Sequence, residues 1–392
     1  MAFASGAVSL RRYFLSGRIP KHIDDKFVAA VSQRAFGATG VAGDGTQSGW
    51  LGPRHLFDTD IQAEHIAFGR FAHFALRIDR HDPPAALVRS YARLEEETLM
   101  QASGREFLSA KERRKAREAA RDRAEKESRS GAFRRMSAYS VLLDVERRTL
   151  CFGSLAAGAN DKLVDLLADT FGCTVESAGP QQIALRLLAP AGQERKIENL
   201  EPFHLVRPPE EGEAAPFPDG DQSFLGREFL TWLWFKTETP RAGLRIGRGD
   251  EVAVMIARTL RLVCDFAQSG SDVILCDGPA ASPEARAALA IGKQPTKAGL
   301  IVGGAAGEFA CVLDGPRMAV SGLVLPEDTS ERDPRVRLET RFEQIFDACE
   351  LLDMVFDLFL RERAGAEWNT TLQAMRVWAA GRPEGPRRAV SA

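Results

Sequence analysis

The chain has 392 residues, of which 44% are apolar and 27% charged, and a formal net charge of −2. That length exceeds what one core usually fills, so roughly two to three domains are expected, and the composition excludes a fibrous or wholly disordered chain. A charge so near zero excludes general adhesion to nucleic acid or membrane surfaces, so any polyanion site must be local.

The first run, "AVSLRRYFL", reads as a strand rather than a secretory signal, because no small-residue cleavage site follows a continuous apolar core. "KHIDDKFVAAVSQRAF" reads as a helix with Ile23, Phe27, Ala30 and Val31 on one face. The glycine-rich "GATGVAGDGTQSGWLGP" reads as a loop, and "EHIAFGRFAHFALRID" as paired strands with near-alternate aromatics. Pro83-Pro84 ends that section, and "ALVRSYARLEEETLMQ" opens a helical stretch that continues to about Ser128. Strands return in "YSVLLDV" and "TLCFG", joined by a turn at "VERRT". The helix "NDKLVDLLADTFG" is expected to start on Asn160 or Asp161 as N-cap and to stop at Gly172.

Residues 207–222, "RPPEEGEAAPFPDGDQ", are acidic, proline-rich and without apolar periodicity, which marks a linker. An aromatic helix, "SFLGREFLTWLWFKTE", follows, then strand-like runs "EVAVMIA", "LRLVCDF" and "SDVILCDG", and the helix "SPEARAALAIGK". "KAGLIV" and "GEFACVLD" form a hairpin across a glycine-rich turn, "RLETRFEQIFDACELLDMVFDLFLRER" is a long amphipathic helix, and the tail beyond Gly381 is expected to be disordered. The whole pattern is α+β. Apolar runs such as "VFDLFL" fall far short of the ~20 residues of a membrane span. Six widely spaced cysteines (Cys151, Cys173, Cys264, Cys276, Cys311, Cys349), with no C-x-x-C, fit a reduced cytoplasmic protein.

Little of the sequence points to catalysis. His65, His73 and His81 are evenly spaced but lack ligand partners at i+3 or i+4, so they read as structural or surface histidines and no metal is expected. "VGGAAGEF" lacks the Gly-Lys-Ser/Thr of a phosphate loop, and no G-x-S-x-G elbow is present. "RGD" at Arg248–Asp250 reads as a turn before a strand. No compact D-x-D, E-x-K or H-x-D cluster follows a buried strand, as metal-dependent phosphodiester cleavage would require. The expectation is a protein without enzymatic activity or cofactor.

The charge distribution is the exception. Lys111 to Arg135, "KERRKAREAARDRAEKESRSGAFRR", holds eleven basic and five acidic residues, so the remainder of the chain is acidic. Arg114–Glu118, Arg121–Glu125, Asp122–Lys126 and Glu125–Arg129 are i,i+4 pairs that would decorate a solvated helix, each worth only ~0.2–0.5 kcal/mol. They leave Lys111, Arg113, Lys115, Arg117 and Arg123 with fewer partners, and set Phe133 beside Arg134 and Arg135. Cations beside an aromatic suit a nucleic-acid backbone read without base contacts. Composition alone leaves the solvated helix and the DNA contact as equal readings.

The sequence also resembles the RdgC family, bacterial recombination-associated DNA-binding proteins. "SGWLGP" is similar to the family's Gly-Trp-Val-x-Pro, and "SGREFLSAKERRK" through "SGAFRRMSAYSVLLDV" resembles its basic helix, Arg-Ala-Phe-Ser-Arg and following strand. "SPEARAALAIGKQPTKAGLIV" is similar to its helix and Gly-Lys-x-Val-x-Lys-Leu strand start. "RFEQIFDACELLDMVFDLFL" stands in the place of its C-terminal helix, and "FLGREFLTWLWFKTE" resembles a divergent branch. Two departures stand out: "SRSGAF" replaces a Leu-Pro before the Arg-Ala-Phe, and "LCDGPAA" replaces a basic pair before the "SPEAR" helix.

The resemblance implies mixed strand/helix domains with a protruding helical tip, assembled as a ring-shaped homodimer. Residues 1–82 and 136–206 would make the α/β centre domain, 83–135 the basic tip, 223–363 the dimerising α/β base, and 364–392 a helix and tail. Phe133, Arg134 and Arg135 would be the tip motif, and Arg105, Lys111, Arg114 and Lys115 the basic helix leading to it. Lys293 and Lys297 would lie on or near a DNA-facing rim. The implied role is sequence-independent binding of duplex DNA, with single-stranded DNA as a further ligand, in the nucleoid. There it would limit RecA access during homologous recombination. The rival readings are a metal-dependent DNA exonuclease and a protein–protein adaptor that does not bind DNA.

Overall fold

The computed structural model describes residues 3–38, 40, 45–192, 194–206, 222–238, 244–246, 250–264, 270–304, 307–326 and 331–381. The linker expected at 207–222 (except Gln222), the tail at 382–392, and Arg248 and Gly249 of the "RGD" lie outside the described residues.

The chain runs β1 (Val8–Gly17), α1 (Asp25–Gln33), β2 (Thr46–Leu51), α2 (Ala63–Ile66), β3 (Ala67–Phe68) and β4 (Phe71–Arg80). Next come α3 (Ala85–Ser103), α4 (Ala110–Arg129), β5 (Arg135–Asp144), β6 (Thr149–Phe152), α5 (Ala157–Phe171), β7 (Cys173–Ser177), α6 (Pro180–Leu188) and α7 (Glu194–Glu198). Then follow α8 (Phe224–Thr237), β8 (Leu244–Ile246), β9 (Asp250–Val263), β10 (Ser271–Cys276) and α9 (Pro283–Ala290). The last elements are β11 (Gln294–Gly304), β12 (Gly307–Asp314), β13 (Ala319–Val324), α10 (Pro334–Arg363) and α11 (Trp368–Ala379). Among the described residues no helix is long and apolar enough to cross a membrane.

Two compact units form. One contains Gly17–Val141 and Ala156–Cys173; the other contains Ala2–Ser16, Leu142–Leu155 and Thr174–Ala392. The N-terminal strand and the β5–β6 turn thus group with the C-terminal half.

In the first unit, α1 starts where Asp24 accepts a 2.9 Å hydrogen bond from the Phe27 amide, and it buries Phe27 and Val31. It is shorter at both ends than the apolar periodicity suggested. The glycine-rich stretch read as a loop contains β2, which pairs antiparallel with β4 from Thr46↔Arg80 to Leu51↔Ala75. Glycine content misled there because Gly49 serves close packing: a Cβ on it would sit 2.5 Å from the Phe36 Cα. Trp50 stacks edge-on against Phe74 and donates to the Thr170 hydroxyl at 2.8 Å, so "SGWLGP" builds the core. Strand β4 is buried from Phe71 to Asp79, covered on both faces rather than alternating. Burial pushes the His73 imidazole down to about 3 and keeps it neutral. Helix α5 begins at Ala157 without a side-chain cap, because Asn160 instead donates from Nδ2 to the Ala156 carbonyl at 2.7 Å. It stops at Gly172, whose φ of 65° is left-handed, as expected.

The second unit carries an antiparallel sheet in the order β10-β9-β11-β12-β13-β1-β6. The expected hairpin is β11 and β12, in register from Lys297↔Asp314 to Gly304↔Gly307. The two runs read as separate strands are one strand, β9, which passes through Arg258 at φ 64° while its register to β11 shifts. Helix α8 is buried without a break from Phe224 to Trp234. Its Gly226 lies against Gly315, where a Cβ would come within van der Waals overlap of the Gly315 carbonyl. Phe229 packs edge-on against Phe356 of α10 at 5.1 Å, and Phe359 lies beside Trp232 and Trp368. Within this cluster Glu228 pairs with Arg363 at 2.8 Å and accepts from the Phe203 amide at 2.7 Å. Burial lifts the Glu228 carboxyl to about 7, with Arg363 pulling the other way.

Candidate nucleic-acid interface

The basic segment folds as an antiparallel pair of helices, α3 and α4. Helix α3 ends at Gly104, which takes the left-handed φ of 64°. Helix α4 begins six residues later with a capping box: Ser109 accepts from the Glu112 amide at 3.3 Å, while the Glu112 carboxylate accepts from the Ser109 amide at 2.8 Å. Donation to that carboxylate from the Ser109 hydroxyl at 2.7 Å and from its amide, with the charge of Arg105, holds the Glu112 carboxyl below its usual range. The connection between these two stops presents Phe107, 78% exposed, next to the tucked-in Leu108.

The helices meet along Ala116, Ala120 and Ala124 of α4, which are buried at i,i+4 spacing. At the opposite end from Phe107, the Tyr91 hydroxyl donates to the Glu127 carboxylate at 2.8 Å, and the Arg123 guanidinium lies 4.2 Å from the Tyr91 ring centroid. Ser128 donates to the His81 carbonyl beside them. This end joins the sheet, so it is the root of the hairpin.

The candidate residues separate accordingly. Arg105 stands at the apex, 67% exposed, with Glu112 at 3.8 Å. Lys111, Arg114 and Lys115 are exposed on the first turns of α4, and Arg114 pairs with Glu118 at 2.9 Å. Of the other i,i+4 pairs expected, Arg121–Glu125 and Asp122–Lys126 do not close, and the Arg129 side chain lies outside the described ones. Arg113 donates to the Leu108 carbonyl at 3.2 Å. Lys111, Lys115, Arg117 and Arg121 thus remain as exposed cations without an ion-pair partner among the described residues.

Phe133, Arg134 and Arg135 are not at a tip. They connect α4 to β5 at the root, with Phe133 half-buried at φ 64°. Arg134 donates from Nε to Asp79 at 2.6 Å, and Arg77 donates to both oxygens of the same carboxylate at 2.8 and 2.9 Å. Burial works against ionisation of Asp79, yet the two guanidinium groups hold its carboxyl below the usual range. Arg134 is therefore occupied by the fold, while Arg135 is exposed. The sequence order misled because the glycine break after α4 was read as the turn at the far end. The signals for the true apex were Gly104 and the S-x-x-E of Ser109–Glu112, and Phe107 was missed with them.

Lys293 and Lys297 belong to the second unit. Lys293 is buried with its Nζ 2.7 Å from Asp272, so the fold engages it rather than leaving it exposed. Lys297 is partly exposed and lies 3.1 Å from Asp314, its register partner. Among the described residues no three His, Cys, Asp or Glu side chains gather as metal ligands would. No family model matches the chain, and no curated protein matches it.

Proposed function

We propose that this protein binds duplex DNA without sequence preference and that the α3–α4 hairpin is the contact. The observation that carries the reading is the set of exposed cations Lys111, Lys115, Arg117 and Arg121 on α4, unpaired among the described residues, below an apex bearing Arg105 and Phe107. Cations held on a helix at such spacing neutralise phosphates, and an exposed aromatic offers a stacking face to unpaired bases, which makes single-stranded DNA a second ligand. The resemblance to the RdgC family extends the proposal to a homodimer that encloses duplex DNA in the nucleoid and limits RecA access during recombination.

The test is a salt titration of binding to a random-sequence duplex, beside a mass measurement. Replacing Lys111, Lys115, Arg117 and Arg121 together by Ala keeps α4 helical, and the log–log salt slope becomes shallower by up to about 0.9 per cation removed. An unchanged slope and affinity with native helicity overturns the reading and leaves the adaptor. A monomeric mass, or equal retention of linear and closed-circular DNA, removes the enclosing dimer.

A further inference from the structure

Strand β1 places Arg12 directly opposite Cys151 of β6 in an antiparallel ladder. Residues so paired project to the same face with their Cβ atoms ~4.5–5.5 Å apart. The Arg12 guanidinium is gripped by both oxygens of Asp353 on α10, each at 2.6 Å. Cys349 lies one turn before Asp353, on the same face of that helix. The Arg12–Asp353 clamp therefore sets Cys349 beside Cys151, close enough for each thiol to influence the other. Both cysteines are reduced and buried, at 0% and 2% exposure. The Arg12 Nε is also buried and has no hydrogen-bond partner.

The two sulfurs are unequal. The neighbouring Cys151 thiol and the Arg12 charge lower Cys349 against its burial and the Asp353 carboxylate, whereas Cys349 and burial raise Cys151 well above the ordinary thiol range. Cys311, near Cys349, is pushed up to about 12 by burial and stays protonated. Cys349 also lines a cavity of about 560 Å³, together with Arg12, Phe14, Arg148 and Arg186, so a small solute can reach it. This cavity lies away from the hairpin residues in sequence and plays no part in the proposed DNA contact.

We propose that Cys349 and Cys151 form a hydroperoxide-sensitive dithiol, with Cys349 the attacking thiolate and Cys151 the resolving thiol. The Cys349 sulfur attacks the terminal peroxide oxygen; the O–O bond breaks and the departing alkoxide or hydroxide takes up the proton Cys349 gave up. Cys349 is then a sulfenic acid. The Cys151 sulfur attacks the Cys349 sulfur, the S–O bond breaks, and hydroxide leaves as water with the Cys151 proton. Two thiols are oxidised by two electrons to one disulfide, and one hydroperoxide is reduced to alcohol or water.

The experiment uses the full chain carrying Cys276→Ser, which removes an exposed thiol outside the pair. Folded protein is treated with limiting hydrogen peroxide, quenched with a thiol alkylating reagent, and digested without reductant for mass spectrometry. The expected result is a peptide joining Cys151 to Cys349, formed at least tenfold faster than free cysteine is oxidised. In Cys151→Ser the reaction stops at a sulfenic acid on Cys349 that a carbon-acid probe captures. Recovery of both residues as alkylated thiols from the peroxide-treated, folded Cys276→Ser protein overturns the proposal, and so does a link of either cysteine to Cys311 instead. Neither result depends on whether a Cys349 variant folds.

Discussion

The α3–α4 hairpin and the α8–α10 pair are both helices packed on helices, but they are built of opposite materials. Helix α3 buries no residue, and α4 offers it a seam of alanines. Helix α8 buries eleven residues in succession, and α10 meets it with Phe356 and Phe359. Alanine permits close approach and favours the helix while removing little apolar surface from water; an aromatic removes ~150–250 Å². The first pair therefore displays charge with little cohesion to spare, and the second supplies cohesion while displaying almost nothing. Displayed charge and cohesion are assigned to different helices.

Three measurements would sharpen or break that contrast. Phe359→Ala, in the aromatic cluster, is expected to cost about 3–5 kcal/mol in urea unfolding while leaving the salt slope of DNA binding unchanged. A lost slope at retained fold would erase the distinction. The next effect comes from pH. Between pH 4.5 and about 7 the folded chain keeps a proton on Glu228 that the unfolded chain has released, so Glu228 makes stability fall as pH rises through that window. The loss reaches up to about 3 kcal/mol, and comparing Glu228→Gln with the parent across pH 4–8 isolates it as a flatter profile. The smallest effect belongs to the hairpin: Ala120→Gly is expected to cost about 1 kcal/mol locally. It should speed amide exchange in α3 and α4 without moving the global urea midpoint by a comparable amount. A global loss equal to that of Phe359→Ala would show the hairpin to be part of a core.

Much of the architecture was readable because burial leaves a periodic trace. The aromatic run of α8, the stop at Gly172 and the β11–β12 pairing follow from local pattern. What failed involved partners distant in the chain. Gly49 is a strand residue because Phe36 presses on it, and Arg258 sits within a single long strand because β11 supports both halves. In the candidate site, the exposure of Lys111, Arg114 and Lys115 agrees with helical periodicity. The engagement of Arg134 by Asp79 and of Lys293 by Asp272 does not show in sequence, because a carboxylate 55 or 21 residues away along the chain cancels a cation that composition counts as available.

Strand β1 has one neighbour, β6, about 140 residues on and another, β13, about 310 residues on. A ribosome adding ~5–20 residues per second needs about 15–60 s to get from the first strand to the last. During that interval β1 can zip to β6 while its other edge stays open to any passing strand. The first unit, complete once Cys173 emerges, can settle in the meantime. The second must wait until β13 has been made, more than 300 residues after β1, which makes it the part of the nascent chain most in need of a chaperone.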